Sequence, residues 1–445
     1  MIKIFKKFFD YLASFNKTVW LLVFATFLES FGRFLVIPYL SIYLSKKGVS
    51  LPSIGAVIGV GPLAAVIFSM IGGHLSDTLG RKPVQIIGVI LSGMSFLGFA
   101  LSGTNLVLLA IFNFLTTMTR TFYRPAVNAA IADVTPANKR SEAISLSRVS
   151  LNLAYGLAPI VGVYLANQDK PIGFIIGAIL SLIVALFIAI MVPETSIGLK
   201  KDNSEKDNFK KDNLEKYNFK KKTLEKDNKN DRSDLNFQDK KRRENTFSIY
   251  ITILKDKAFL LWTFANILLV GVYGYISSFL PIELTKKNLS LTLYGLLLSI
   301  NAFVCTVFQI PVSILFGYKN IGKVAFFSMI GYIIGFLLFG FTKIPFLLML
   351  AMFILSTGEI VHAAVNVRFI PEIAPKGLLG RYMGLSGFQE LGPFIFSILG
   401  GILMNRYGGK ALFSLAAFAS LIAAILKLLA DKTAVKNLST KNIEN

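Results

Sequence analysis

The sequence predicts an all-α membrane protein with twelve transmembrane helices, arranged as two six-helix bundles and joined by a long cytoplasmic central loop. Hydrophobic residues make up 54% of the 445 residues, whereas a soluble protein has about 45–50%. The apolar residues form runs of about 20, the length needed to cross roughly 30 Å of hydrocarbon. One strongly polar stretch separates six such runs from six more.

The apolar runs define the predicted helices, because backbone polar groups in hydrocarbon must be hydrogen-bonded within their own segment. Six runs precede the polar stretch, at 18–44, 51–76, 82–102, 105–131, 141–167 and 172–192. Six follow it, at 258–285, 292–316, 322–342, 345–370, 379–405 and 410–430. The predicted domains are therefore an N-terminal bundle over 18–192 and a C-terminal bundle over 258–430.

The two halves also repeat one another. Residues 131–136 after the fourth run read IADVTP, and residues 370–375 after the tenth run read IPEIAP. Pro159 in the fifth run corresponds to Pro393 in the eleventh. Two related bundles are the product of a parallel repeat about an axis normal to the membrane.

The segments outside the bundles are polar and basic. Residues 193–257 are dense in lysine, aspartate and asparagine, which predicts a charged cytoplasmic linker that is largely disordered. Residues 1–17 lack a small-residue cleavage site and are expected to be a retained N-terminus, and residues 431–445 to be a C-terminal tail. The loops on the side of both termini, with Lys427 counted in the C-terminal tail, hold more than twice as many lysines and arginines as the opposite loops. Both termini should therefore face the cytoplasm, in a multi-pass protein of the cell (cytoplasmic) membrane.

Several other protein classes are disfavoured. The formal charge of +22 is spread between apolar runs and not along one soluble face, which argues against nucleic-acid binding. One cysteine, Cys305, and two histidines, His74 and His362, leave no disulfide and no expected metal site. The sequence has no clustered catalytic motif and no phosphate-binding P-loop, so neither an enzyme nor an ATP-driven pump is expected.

The turn between the second and third runs carries the most specific motif, G-x-L-x-D-x-x-G-R-K from Gly73 to Lys82. Gly80 permits a tight reversal with positive φ. Asp77 is placed to pair with Arg81 and to meet the N-terminus of the eleventh helix, where the helix dipole favours a carboxylate. Such a cluster would latch the two bundles on the cytoplasmic side. The alternative is a basic turn that serves only to orient the helices.

This motif resembles the signature loop of the major facilitator superfamily. The resemblance implies a secondary transporter whose two bundles rock about a central cavity, bordered by helices one, four, seven and ten. Proton coupling and binding of a small molecule, in a lipid bilayer and without a cofactor, are then expected, with the proton gradient as the energy source. A monomer is expected.

A charge at mid-bilayer costs about 2.5–3.5 kcal/mol, so each intramembrane charge is a functional candidate. Glu359 is the leading candidate for the proton carrier, because no lysine or arginine lies within one helical turn of it. Glu390 and Glu29 are further candidates. Glu29 and Arg33 lie four residues apart on one helical face, so a structural ion pair is the alternative for them.

The candidate residues of the substrate cavity are polar or basic side chains on the same helices. They are Arg33, Arg120, Arg148, Asn152, His362 and Gln389. The alternatives are that Arg120 and Arg148, with Arg124, extend to the cytoplasmic interface or brace the gate, and that His362 is a hydrogen-bonded core residue.

Four segments are similar to the drug/proton antiporter (multidrug efflux) branch of the superfamily: 32–40, 124–126, 148–162 and 357–360. The fifth helix departs from the antiporter pattern, with Ala154, Ala158 and Val163 at glycine positions, and Asn113 replaces the arginine usual in the fourth. The resemblance implies proton-coupled efflux of amphipathic small molecules. The alternatives are a proton-coupled importer of a small anionic metabolite and a membrane sensor that does not transport.

Overall fold

The fold consists of long helices that alternate in direction. The computed structural model describes residues 14–136, 139–166, 171–195, 251–316, 320–375 and 378–443. The N-terminal half supplies α1 (Lys17–Lys46), α2 (Leu51–Leu79), α3 (Arg81–Ser102), α4 (Leu106–Asp133), α5 (Arg140–Ala166) and α6 (Ile172–Met191). The described ranges contain no β-strand.

The C-terminal half repeats this order with two interrupted helices. Here α7 has three segments, Lys257–Tyr273, Tyr275–Ser278 and Leu280–Lys286, and is followed by α8 (Leu291–Phe316), α9 (Ile321–Phe341) and α10 (Pro345–Ile373). Then α11 starts with Leu379–Leu385 and a 3₁₀ turn, Ser386–Glu390. The stretch Leu391–Ile443 completes α11 over 391–407 and, after a break at Gly408 (φ 76°, ψ −177°), forms α12 over 409–443.

The predicted fold class is confirmed. Eleven helical stretches of the described chain are long and apolar enough to span a membrane. The last of them, Arg381–Lys436, contains both α11 and α12, which gives the predicted twelve. Large apolar side chains such as Leu182, Ile190 and Phe346 are exposed on the outside of the molecule, as expected where the surroundings are hydrocarbon.

The alternating helices give the molecule two ends. The Gly80 end holds the α2–α3 turn, the end of α4 and the start of α7, and the Gly48 end holds the α1–α2 and α11–α12 turns. Side-chain caps fix helix starts at both ends: Asn16 and Asp256 cap α1 and α7 at the Gly80 end, and Ser50 caps α2 at the Gly48 end.

The two halves pack closely against each other towards the Gly48 end. A methyl group on Gly55 of α2 would collide with the carbonyl oxygen of Ser397 of α11. The second inter-bundle contact joins α5 to α8, where the Ser299 hydroxyl donates to the carbonyl oxygen of Gly156 at 2.9 Å. Because small residues permit such close backbone approach, the bundles leave little space between them at this end.

Three features of the structure differ from the sequence prediction. The predicted helix 258–285 is interrupted at Gly274 and Phe279. The predicted tail 431–445 continues α12 as helix to Ile443, because the lysines and threonines beyond 430 do not stop a helix. Lys427, grouped with that tail by its charge, is completely buried inside the C-terminal half. Most of the predicted linker, residues 196–250, and residues 1–13 lie outside the described chain.

Candidate functional site

A cavity of about 520 Å³ lies between the two halves of the molecule. Its N-terminal wall comes from α1 to α4, and its C-terminal wall from α7 and α11. One part of the wall is apolar, with Val36, Ile37, Leu40, Phe96 and Phe99. The other part is polar, with Asn113, Thr116, Thr117, Arg120, Thr121, Arg124, Ser277, Ser278, Gln389, Glu390 and Ser397. The cavity is therefore amphipathic and is shared by both bundles.

The charged part of the wall lies on the Gly80 side of this cavity. Arg120 and Arg124 are one turn apart on α4, and the 3₁₀ turn of α11 places Gln389 and Glu390 on the opposite wall. Glu390 interacts electrostatically with Arg120. Within the described chain, neither arginine has a carboxylate at ion-pair distance. Two guanidinium groups thus face one carboxylate, and the wall carries a net positive charge.

Asn113 has a positioning role beside this wall. Its side-chain amide donates to the carbonyl oxygens of Val57 at 2.8 Å and Ile58 at 3.0 Å. These bonds join α4 to α2. The hydroxyls of Thr116 and Thr117 donate to carbonyl oxygens one turn earlier on α4, so each of these hydroxyls contributes an acceptor oxygen to the cavity.

A second, smaller polar cavity of about 60 Å³ lies within the N-terminal bundle, between α1, α4 and α5. Glu29, Ser30, Asn128 and Arg148 line it, and Arg124 lines both cavities. The predicted cavity residues Arg120 and Gln389 therefore lie at the central cavity, whereas Arg148 lies at this second one.

Glu29 and Arg33 form a buried ion pair, with Arg33 Nη2 2.8 Å from Glu29 Oε2. Arg33 is 3% exposed, its Nη2 also donates to the Ser30 hydroxyl at 3.3 Å, and its guanidinium lies 5.4 Å from the Phe34 ring centre. Its Nε and Nη1 have no hydrogen-bond partner in the described chain. The Glu29 carboxylate is thus held by a permanent cation.

Glu359 has a different environment. Its Oε2 accepts hydrogen bonds from the Tyr273 hydroxyl and the Asn301 side-chain amide, both at 2.8 Å. The Cys305 thiol lies against it. Within the described chain, no lysine, arginine or histidine is at ion-pair distance from Glu359. Neutral donors alone therefore hold this carboxylate.

The backbone explains how Tyr273 reaches Glu359. Tyr273 is the last residue of the first segment of α7, directly before the break at Gly274. Asn301 comes from α8 and also donates to the Ser356 hydroxyl at 2.9 Å. Tyr155 of α5, in the other bundle, lies near the same carboxylate. Four helices thus meet around Glu359, which lines neither of the two cavities.

His362 and Asn152 also lie away from the central cavity. His362 is buried one turn after Glu359, and its Nε2 has no partner in the described chain. Asn152 is half-buried on α5. Neither residue is among those that line the two cavities.

Lys427 is the residue that the sequence interpretation missed. Its Nζ donates to Asn266 Oδ1 at 2.6 Å and to Asn366 Oδ1 at 3.4 Å, and lies 3.8 Å from the Trp262 ring centre. In the described chain no carboxylate is at ion-pair distance from it. The available signal was its position inside the apolar run 410–430.

The motif at the α2–α3 turn makes its described contacts within the N-terminal bundle. Arg81 Nε lies 3.2 Å from Asp133 Oδ2, and Arg81 Nη1 donates to the Ser76 hydroxyl at 3.1 Å. The backbone N–H groups of Arg81 and Lys82 donate to the Glu194 carboxylate at 3.1 and 3.0 Å. A carboxylate is favoured there because these groups begin α3.

The remaining residues of the motif form the turn or belong to the predicted latch. Gly80 has φ +100°, a conformation that favours glycine, and Lys82 Nζ donates to the carbonyl oxygen of Ala189 at 2.7 Å. The side chain of Asp77 and the surroundings of Gly73 lie outside the part of the chain that the structure describes. The contact predicted between Asp77 and the start of α11 therefore stays a prediction.

Comparison with known protein families gives one match over most of the chain. The profile of the Major Facilitator Superfamily matches residues 22–389 and 284–443. The chain is 23% identical over 402 residues to the uncharacterized MFS-type transporter YqjV of Bacillus subtilis (strain 168), and the match covers 87% of each chain. It is 28% identical over 190 residues to the quinolone resistance protein NorA of Staphylococcus aureus (strain MRSA252), over 42% of this chain and 49% of NorA.

Solved structures give the same fold. The nucleoside transporter NupG superposes with a TM-score of 0.71 at 17% identity, over 93% of this chain and 99% of that one. A POT family transporter in complex with 5-aminolevulinic acid superposes with a TM-score of 0.67 at 15% identity, over 94% of this chain and 96% of that one. Likeness at this identity defines the fold of the chain and leaves its substrate open.

Proposed function

Because this chain belongs to the Major Facilitator Superfamily, we propose that it is a proton-coupled secondary transporter that exports amphipathic small molecules by alternating access. The observation that carries the proposal is the central cavity of about 520 Å³, which is walled by both bundles. Closure of the bundles towards the Gly48 end leaves the charged wall on the Gly80 side. A rocking motion that exchanges these two ends would move a bound molecule across the membrane.

The proposed orientation places the Gly80 end in the cytoplasm. Lysines and arginines are concentrated in the loops of this end, and such residues accumulate on the cytoplasmic side of membrane proteins. In this orientation the cavity is on the cytoplasmic side of the inter-bundle contacts, as an exporter requires for loading.

Glu359 is the proposed proton carrier. A carboxylate at mid-membrane without a cationic partner can be protonated without breaking an ion pair. Tyr273 and Asn301 donate hydrogen bonds to the ionised carboxylate of Glu359. When that carboxyl group is protonated, the Tyr273 hydroxyl can instead accept a hydrogen bond from it. Glu29 is less suited to this role, because protonation would remove the partner of Arg33. Glu390 lies in the cavity wall and is the candidate through which substrate and proton would compete directly.

Export of amphipathic molecules is supported by the composition of the cavity wall. A flat apolar molecule can lie against Phe96, Phe99 and Leu40, while its polar group faces Arg120 or Gln389. Sites that combine apolar area with a few convergent polar groups accept drug-sized ligands. The similarity to a quinolone resistance protein over half of that protein's length points in the same direction.

A second candidate function is import of a small anionic metabolite with protons. The net positive wall favours it, because Arg120 and Arg124 have no ion-pair partner in the described chain. Guanidinium groups bind carboxylate and phosphate through paired hydrogen bonds. In this alternative both arginines would bind the anionic group directly.

Transport by everted membrane vesicles separates the two functions. We expect vesicles with an acidic interior to accumulate ethidium or a fluorescent quinolone, and to lose it when nigericin collapses the pH gradient. Vesicles from cells without the protein serve as the control. If right-side-out vesicles accumulate a small carboxylate under an inward proton gradient and everted vesicles accumulate neither dye, the import function replaces export. The absence of gradient-dependent movement in both preparations would contradict proton-coupled transport.

A further inference from the structure

A file of polar side chains runs through the otherwise apolar core of the C-terminal bundle. On α10, Glu359, His362 and Asn366 follow at spacings of three and four residues, so they lie on one face of the helix. On α7, Asn266 and Tyr273 are seven residues apart and share a face in the same way. The two faces meet at Tyr273–Glu359 and, nearer the Gly80 end, around Lys427, which contacts both Asn266 and Asn366.

Two atoms in this file lack a partner. Nε2 of His362 and Oγ1 of Thr263 are buried and have no hydrogen bond in the described chain. Thr263 lies three residues before Asn266 and therefore near the same face of α7. Buried polar atoms are nearly always hydrogen-bonded, commonly to an internal water molecule. The file therefore has vacant hydrogen-bonding capacity at His362, which lies between Glu359 and Asn366 on α10, and at Thr263, one turn from Asn266 towards the Gly80 end.

Lys427 is an unusual residue at this position, since it is completely buried and its contacts are neutral. A cation within a membrane helix that has no counter-ion is a functional candidate. On α12, Asp431 follows one turn later, half-buried near Gly322 at the Gly80 end. The other charged groups nearby are already engaged: Asp256 of α7 accepts from Tyr382, and Arg368 pairs with Glu372 on α10.

We propose that His362 and Lys427 form the cytoplasmic part of a proton path that serves Glu359 and is separate from the substrate cavity. The inference rests on the proposed role of Glu359 as the proton carrier. In one cycle, the Lys427 ammonium gives a proton to cytoplasmic water, with the half-buried Asp431, one turn later on α12, as an acceptor on the way. His362 first takes the proton of Glu359 and then, as an imidazolium, passes a proton to the resulting Lys427 amine. One proton leaves Glu359, one enters the cytoplasm, and His362 and Lys427 return to their starting charges.

Separation from the cavity is the structural consequence of this arrangement. Glu359, His362, Asn366 and Lys427 are absent from the residues that line the central cavity. A proton can therefore leave Glu359 while substrate occupies the cavity. The path depends on side chains of α7, α10 and α12 alone, so it stays within one bundle when the bundles rock.

The test follows protonation of Glu359 directly and needs no substrate. The purified full-length protein in lipid nanodiscs is subjected to a pH jump, and the C=O stretch of the protonated carboxyl group is followed by time-resolved infrared spectroscopy. The Glu359→Gln variant identifies the band by its loss. We expect Lys427→Met and His362→Asn to slow the appearance and decay of this band about tenfold or more, because positioned side chains accelerate proton transfer by factors of this size or larger. The amplitude should not change.

The control is Lys432→Met, which removes an exposed lysine from the same helix and should leave the rate unchanged. If Lys427→Met does not fold, His362→Asn combined with Thr263→Val removes the two unpartnered atoms and tests the same path. A normal Glu359 band with unchanged rates in the variants overturns the path and leaves Glu359 as carrier. A band that is absent or insensitive to pH overturns both. Lower thermal stability with unchanged rates assigns Lys427 a purely structural role.

Discussion

The two bundles each hold a glutamate near the middle of a membrane helix, and the two carboxylates have different hydrogen-bond partners. In the N-terminal bundle, Glu29 is bonded to the guanidinium of Arg33 at 2.8 Å. In the C-terminal bundle, Glu359 is bonded to the neutral groups of Tyr273 and Asn301 at the same distance. An ion pair fixes the charge of an acid, because loss of either charge leaves the other buried and unpaired. A carboxylate that is held by neutral donors can gain a proton without leaving an unpaired charge behind.

This difference assigns different tasks to the two bundles. The N-terminal bundle holds fixed charges: the Glu29–Arg33 pair, the arginines of the cavity wall and the network of Arg81 with Asp133. The C-terminal bundle holds Glu359, the proposed proton carrier, together with the polar file around Lys427. We infer that the first bundle supplies the electrostatic frame of the cavity and the second supplies the proton-dependent step.

The largest expected effect comes from Glu359→Gln. The amide keeps the size of the side chain and removes its proton site, so we expect gradient-driven transport in everted vesicles to fall to the level of vesicles without the protein. Substrate binding to the purified protein should remain measurable. Glu29→Gln is the matched variant and should keep part of the gradient-driven transport. Uphill transport by Glu359→Gln at the wild-type rate would contradict the role of Glu359 as proton carrier and would leave Glu29 and Glu390 as the candidates.

The next effect concerns stability. Arg33→Met leaves the Glu29 carboxylate buried without its partner, and loss of one partner of a buried pair costs about 3–5 kcal/mol. We expect a clearly lower midpoint of thermal unfolding, with recovery in the double variant Arg33→Met, Glu29→Gln. The control is Arg368→Met, which breaks a pair of the same four-residue spacing that is far more exposed and should cost about 0.5 kcal/mol or less. Equal destabilisation by both arginine variants would mean that the Glu29–Arg33 charges are well solvated.

Much of this contrast was predictable from the sequence, because it depends on local spacing. The separation of four residues predicted that Glu29 and Arg33 share a helical face, and the absence of a lysine or arginine within one turn singled out Glu359. The apolar runs predicted the twelve helices, and the G-R-K sequence predicted the sharp turn at Gly80. Each of these features depends on neighbours within a few residues.

The features that were not predictable depend on residues far apart in the chain. Tyr273 and Asn301 lie 86 and 58 positions from Glu359, and Glu194 lies 113 positions from Arg81. Lys427 was counted with the basic tail because its charge resembles that of the tail lysines, whereas its burial comes from contacts with α7 and α10. The break of α7 at Gly274 has no proline or charged residue to mark it.

A smaller effect is expected at the α2–α3 turn, where an acid of the N-terminal bundle is predicted to hold the two bundles together. If Asp77 latches the Gly80 end, Asp77→Asn should increase the population with that end open. Spin labels would be attached to Leu79→Cys and Met383→Cys, which are exposed positions on opposite bundles. Double electron–electron resonance should then report longer distances between them. The matched control, Asp77→Glu, keeps the charge and should keep the wild-type distances. Identical distance distributions in all three proteins would show that the turn is only a connection.

The smallest effect is expected for a third buried acid, Glu283 at the Gly48 end. Glu283 pairs with Lys287 at 3.2 Å, but Lys287 Nζ also donates to the carbonyl oxygens of Phe339, Gly340 and Thr342, at 2.6, 3.0 and 3.1 Å. These carbonyls end α9, where a cation is favoured by the helix dipole.

Glu283→Gln therefore leaves the lysine with three acceptors. We expect a loss of only about 1 kcal/mol, the contribution of one hydrogen bond, measured as a small decrease in the unfolding midpoint, and unchanged proton-driven transport. The comparison variant is Lys287→Met, which removes all four contacts and should destabilise the protein more. If Glu283→Gln instead abolished gradient-driven transport, an acid that is paired with a cation would be essential for proton coupling. Pairing with a cation would then not explain the different roles proposed for Glu29 and Glu359.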